Sequence, residues 1–207
     1  MLLNKIVQPA ILFSIIVLLF SCGETEEKKA AKEPVKNYND PAVLFQETKK
    51  VLGNNAKAAY LGFYEDNSKD EIVAGIEIDT KEELGIKFAL LRIKNNKLEK
   101  GYETGLLEGS FNSSYVKKIK FPSVAYELIY YNSQDYYMGS GGGEIFSYIF
   151  DFKIGKVYYA HLVIESKRIS LFLSHNINDQ EVKNFFINNF KKDYPAFTLV
   201  SQDFTLD

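Results

Sequence analysis

Few side chains in this sequence have the types and spacing that catalysis or metal binding requires. His161 and His175 are the only histidines, so they bound any site that needs a group titrating near neutral pH. Neither belongs to an H-E-x-x-H pattern, and no paired nucleophile or clear carboxylate ligand accompanies them. We therefore expect no catalytic residue and no metal site. The alternative is a hydrolase that uses His161 or His175.

The glycine-rich stretch YYMGSGGGEIF, residues 136–146, has the composition of a phosphate-binding loop but not its spacing. No Lys-Ser or Lys-Thr pair follows Gly143, and no G-x-G-x-x-G pattern occurs there. Ser140 also lacks the glycine spacing of a nucleophile elbow. The stretch predicts a flexible connection between strands, or alternatively a binding rim with aromatic neighbours. The candidate ligand-binding residues are Tyr136, Tyr137, Met138, Tyr159 and His161.

An acidic stretch beginning at residue 66 partly matches a calcium-binding loop. Positions one, three, five and twelve of that loop would be Asp66, Ser68, Asp70 and Glu77. Position six requires glycine for its turn, but Glu71 stands there, and the residues that follow alternate as a strand does. The stretch therefore predicts an acidic surface turn, and we expect no cofactor.

The single cysteine, Cys22, follows an apolar run of eleven residues, Ala10–Phe20. A membrane-spanning helix needs about 20 apolar residues, whereas this length suits the hydrophobic region of a signal peptide. Lys5 supplies the preceding positive charge, and Pro9 disfavours a longer helix. Residues 1–21 are therefore predicted to be an export signal.

The sequence LFSC, Leu19–Cys22, resembles the lipobox of bacterial lipoproteins, with an aliphatic residue at Leu19 and a small one at Ser21. The resemblance implies that the Cys22 thiol receives a diacylglyceryl group and that a peptidase cleaves just before it. The new amino terminus would then be acylated, for example with palmitate. The membrane would thus be one partner, reached through Cys22. The alternatives are an unmodified Cys22 near an ordinary cleavage site, or a signal anchor.

Residues 22–39 are rich in Glu and Lys and predict a flexible, solvated tether. The acids Glu24, Glu26 and Glu27 are similar to the export tags of some Gram-negative surface lipoproteins. Gly23 is not the aspartate associated with retention in the inner membrane. By resemblance the expected location is the cell envelope at the outer membrane, with the side that the protein faces left open.

The composition predicts one globular domain over residues 40–207. The chain has 207 residues, 46% of them hydrophobic and 14% aromatic, which is enough for a substantial core. The net charge is −2, and the only arginines are Arg92 and Arg168. This balance argues against a nucleic-acid partner. One cysteine excludes an intrachain disulfide.

Two helices are marked by their ends. Asp40 and Pro41 suit the start of the first, which Gly53 would close. The second carries an apolar stripe that ends at Phe190, and Asn178 and Glu181 have the spacing of a capping box.

Strand-like runs lie between and after these helices, joined by short turns such as KNNK at 94–97. Short turns imply antiparallel neighbours. The predicted fold class is α+β, an antiparallel meander curled into a half-barrel or sandwich, with a helix near each end. The predicted strands are Ile72–Ile78, Ile86–Ile93, Tyr115–Phe121, Val124–Tyr131, Ile145–Phe152, Val157–Ile164, Ile169–Leu173 and Ala196–Leu206.

Several of these strands are apolar on both faces, as VYYAHLVI at 157–164 illustrates. One face must cover a helix or a second sheet, and the other packs or lines a cavity. These features favour a non-enzymatic binding or scaffolding domain with an envelope protein as partner. The alternative is a carrier that holds a small apolar ligand within the curved sheet, and a filled interior would count against it.

Overall fold

The computed structural model describes residues 34–133, 142–165, 168–174, 179–196 and 198–205, with the backbone alone for 168, 169 and 198–205. Within these ranges, neither of the two helices is long and apolar enough to cross a lipid bilayer. The elements are α1 (Pro41–Leu52), β1 (Ala56–Gly62), β2 (Glu71–Asp79), β3 (Leu84–Lys94), β4 (Lys97–Glu103), β5 (Val116–Ile119), β6 (Leu128–Asn132), β7 (Gly142–Asp151), β8 (Lys156–Glu165), β9 (Arg168–Leu173), α2 (Gln180–Asp193) and β10 (Thr198–Thr205).

Both helices begin at an aspartate. The Asp40 side chain accepts a hydrogen bond from the Ala42 N–H, and Gly53, with φ 79°, ends α1 as expected. In α2 the N-cap is Asp179, whose side chain accepts from the Glu181 N–H at 2.8 Å. The capping box predicted to start at Asn178 is therefore wrong by one residue, and the Glu181 carboxylate accepts a hydrogen bond from the Ser123 hydroxyl instead.

The strands form two sheets. The first sheet has the antiparallel order β1-β2-β3-β4, and its β3–β4 hairpin turns through Asn95 and Asn96 at φ 49° and 64°, as the KNNK sequence predicts. The second sheet has β5 to β9 in antiparallel order. β10 returns after α2 and pairs parallel to β9 at the sheet edge, so the predicted meander ends in a crossover.

The two sheets pack face to face, and each carries one helix on its outer face, so the order of layers is α1, first sheet, second sheet, α2. This arrangement confirms the α+β fold and the sandwich form of the prediction. Leu44 of α1 packs with Ile72 and Leu91 of the first sheet. Phe186 of α2 packs with Tyr130 and Ile149 of the second sheet. The layer between the sheets includes Val73, Ile86, Phe88, Ile129, Tyr131 and Phe150.

The chain enters this domain at the β3–β4 turn. The Lys36 N–H donates to the Asn96 side-chain oxygen at 2.7 Å, and the Tyr38 hydroxyl donates to the Asn96 carbonyl at 3.2 Å. Tyr38 is buried and packs with the α1 layer. The packed part of the chain therefore begins a few residues before Asp40.

Candidate binding cleft

A cleft of about 630 Å³ opens at one end of the sandwich. Its volume falls within the range of protein pockets that hold small ligands or inserted side chains. Three parts of the chain form its walls, namely the β2–β3 hairpin, the segment 108–110 and the start of β7. The lining residues are Glu77, Ile78, Asp79, Leu84, Gly85, Glu108, Gly109, Ser110, Glu144 and Phe146.

The segment 104–112 crosses the end of the sandwich and is held there by tyrosine hydroxyls. Tyr148 donates to the Glu108 carbonyl at 3.0 Å, and Tyr131 donates to the Ser110 carbonyl. On the other side, Gly85 allows the close approach of this segment to β3. A Cβ at Gly85 would lie 2.4 Å from the Leu107 carbonyl oxygen, and its φ is 152°. The backbone of the segment is thus fixed against both sheets.

Stacked rings form the part of the second sheet beside the cleft. Phe146 and His161 are directly opposite each other across β7 and β8, with ring centroids 4.7 Å apart and ring planes at 18°. Tyr159 stacks on Phe146 at 6.1 Å and 14°, and Phe172 of β9 lies 5.9 Å from His161. These four rings, which we call the aromatic ladder, are half-buried. Cross-strand pairs of this kind stabilise the sheet and leave ring surface at its end.

Carboxylates surround the cleft. Glu77 forms an ion pair with Lys57 at 3.0 Å, and Glu144, which is 54% exposed, lies 3.1 Å from the Nε2 of His161. Burial is the main cause of the raised pKa of Tyr159, and the negative charges of Glu108 and Glu144 raise it further. The described side chains that line this cleft therefore include acidic groups and no basic ones, and two of the acids lie close enough to act on Tyr159 of the aromatic ladder.

The space between the two sheets is filled by aromatic side chains. Phe88 packs against Phe150 with tilted ring planes at a centroid distance of 4.4 Å, and Phe111 stacks with Tyr131 at 5.6 Å. Phe88, Phe150 and Tyr131 are almost completely buried. Among the described residues, the cleft at the end of the sandwich lies outside this packed layer and offers space for a ligand.

The structure brings two of the predicted ligand-binding residues to this region. Tyr159 and His161 of β8 belong to the aromatic ladder, although the cleft itself is lined by their neighbours Glu144 and Phe146. The predicted Tyr136, Tyr137 and Met138 lie outside the described residues, as do Cys22 and His175. A β8–β9 hairpin centred on Lys167 would place His161 opposite Leu173, whereas the structure pairs His161 with Phe172.

The described contacts of His161 are with a carboxylate and with aromatic rings. Glu144 is the hydrogen-bond partner of His161, and no described hydroxyl is bonded to the imidazole as a nucleophile would be. In the same described ranges, no three or more His, Cys, Asp or Glu side chains are grouped to hold a metal ion. The stretch compared with a calcium loop divides between a turn, in which Asp66 accepts from the Ser68 N–H, and strand β2.

The chain was compared with protein-family models, curated proteins and solved structures. No family model, curated protein or solved structure matches it.

Proposed function

We propose that this protein is a lipoprotein of the cell envelope whose domain binds a partner without transforming it. The anchor is Cys22, with acyl chains on its thiol and on the new amino terminus, and the tether runs from Cys22 to Lys36, where the chain begins to pack on the domain. The LFSC motif directly after the apolar run supports the anchor. The acids that follow Cys22 and the glycine at position 23 support the outer membrane as the location.

The observation that carries the binding proposal is the cleft at the end of the sandwich. It combines a defined volume with walls fixed by backbone hydrogen bonds and by packing on both sheets. A site built on such rigid walls binds with little loss of conformational freedom. Its lining mixes apolar and charged side chains, as interfaces and pockets do.

Binding suits this cleft better than the two other functions considered. A carrier would hold its apolar ligand between the sheets, where Phe88, Phe150 and Tyr131 already occupy the space. A hydrolase would need a nucleophile beside His161, and the described contact of its imidazole is a carboxylate.

The proposal is tested by site-specific photo-cross-linking in the native cell. A photoreactive phenylalanine analogue replaces Leu84, which lines the cleft and is 74% exposed, in the full chain. The matched control replaces Ile154, which is 52% exposed in the turn at the opposite end of β7. We expect a discrete adduct from position 84 and none from position 154. Adducts of equal yield at both positions, or none at either, would contradict binding through the cleft.

A further inference from the structure

The acidic side chains that line the cleft indicate the charge of the ligand that it would bind. Four of its lining residues are acidic, Glu77, Asp79, Glu108 and Glu144, and none of the described lining residues is basic. Lys57 offsets Glu77 from outside the lining, while Glu108 and Glu144 both act on the aromatic ladder. A cationic group is therefore the electrostatic complement of the cleft.

The aromatic ladder narrows the choice among cations. Phe146 lines the cleft and is the ring on which Tyr159 and His161 both stack. A guanidinium is planar, stacks on aromatic rings and pairs with carboxylates through two parallel hydrogen bonds. The ammonium group of lysine is not planar and cannot donate two parallel hydrogen bonds to one carboxylate. Arginine therefore fits a cleft lined by carboxylates and an aromatic ring better than lysine does.

Exposed apolar side chains at the rim indicate a protein rather than a free small cation. Leu84 is 74% exposed and Leu106 is 40% exposed. They border the same place, because a Cβ at Gly85 would lie 3.1 Å from the Leu106 Cδ1. Apolar side chains around a polar centre are the usual surroundings of a buried interface anchor, since they exclude water from it.

We propose that this cleft receives an arginine side chain of an envelope protein, with its guanidinium facing Glu108 and Glu144 beside Phe146. Apolar residues next to that arginine cover Leu84 and Leu106. This inference rests on the proposed binding function and specifies its partner.

The test is a methyl NMR titration of the full chain in detergent micelles. The probe is the peptide Ac-Leu-Gly-Arg-Gly-Leu-NH2, compared with the same peptide carrying citrulline, the neutral isostere of arginine. We expect saturable shifts of the Ile78, Leu84 and Leu106 methyl groups and none of Ile154. The citrulline peptide should bind at least about fivefold more weakly, since it loses the charged hydrogen bonds.

Variants identify the residues responsible. The double change Glu108→Gln and Glu144→Gln should weaken binding of the arginine peptide by about fivefold to tenfold, which corresponds to about 0.5–0.7 kcal/mol for each exposed pair. The matched control is Glu99→Gln, an equally exposed acid on β4 that pairs with Lys94. This control should leave the affinity unchanged within about twofold, a range set by the same small pair energies.

Each remaining outcome overturns the inference. Equal affinity for the arginine and citrulline peptides, or shifts outside the cleft, would show that no arginine is recognised there. Equal affinity for Ac-Arg-NHMe and the peptide would identify a small-cation site instead of a protein surface. If adducts still formed at position 84 in either case, the proposed binding function would stand and only the choice of partner would fall.

Discussion

At the residue scale, Glu71 at the start of β2 is a buried carboxyl group with a raised pKa. It is 5% exposed, and its carboxylate accepts hydrogen bonds from the Tyr64 and Glu65 N–H groups at 3.0 and 2.7 Å. Burial raises its pKa to about 7, and the neighbouring Glu65 carboxylate contributes. Arg92 faces the pair and holds the pKa of Glu65 below its usual value through a two-point ion pair.

The change Glu71→Gln should remove a pH dependence of stability. Because the folded-state pKa of Glu71 exceeds the unfolded one, its contribution is fully present below about pH 4.5 and is lost as pH rises through about 7. Glutamine keeps an acceptor for both N–H groups and cannot ionise. The unfolding free energy of the variant should equal that of the native protein near pH 4.5 and exceed it by about 3 kcal/mol at pH 8. Urea unfolding at both pH values measures this, and an equal difference at both would contradict it.

At the element scale, the helices, the inner strands and the strands of the second sheet follow from local sequence, but the two edge strands of the first sheet do not. The inner strands β2, β3, β7 and β8 carry long apolar runs because both of their faces are covered. β1 and β4 were not predicted as separate strands, since AKAAYLG is weakly apolar and KLEKGYE is mostly exposed.

The register of β8 and β9 depends on which residue lies at the centre of the hairpin that joins them. A shift of half a residue there exchanged Leu173 for Phe172 as the partner of His161.

One contact between elements should be sensitive to a single methyl group. Gly75 of β2 lies beneath Phe111, and a Cβ there would be 2.1 Å from the Phe111 Cε2. Gly75→Ala should displace that ring and lower the unfolding free energy by about 1–3 kcal/mol. Gly105→Ala is the control, because nothing lies within 4 Å of its Cβ position. Equal unfolding free energies for the two variants would show that Phe111 does not occupy this place.

At the scale of the whole molecule, the cleft could not be predicted because its residues come from distant parts of the chain. Glu77, Glu108 and Glu144 meet only because two sheets are stacked, and no local spacing connects them. The alternating pattern of residues 157–164 does predict β8, and it places Tyr159 and His161 on the same face of that strand. The sequence does place Glu144 at the start of β7, because it directly precedes the apolar run of that strand. Its contact with His161, however, depends on the register between β7 and β8.

The proposed lipid anchor is tested on the full-length protein in the cell. Cys22→Ser removes the thiol to which the proposed lipid would be joined, so the protein should leave the mature membrane-bound fraction. It should appear instead as soluble protein or as uncleaved precursor. Cell fractionation with immunoblotting measures this, and Ser21→Ala, which retains a small residue before the cysteine, is the control. A serine variant that is processed and membrane-bound like the native protein would refute the lipid anchor.

The hydrogen bonds of Lys36 and Tyr38 to Asn96 have a mechanical consequence. The chain enters the domain at Asn96, next to the end of β3 at Lys94, whereas the cleft lies at its beginning, at Leu84. The eleven residues of β3 separate these points by about 30 Å. A force transmitted through the preceding chain is therefore applied at the end of the sandwich opposite the cleft, about one strand length away from the residues that line it.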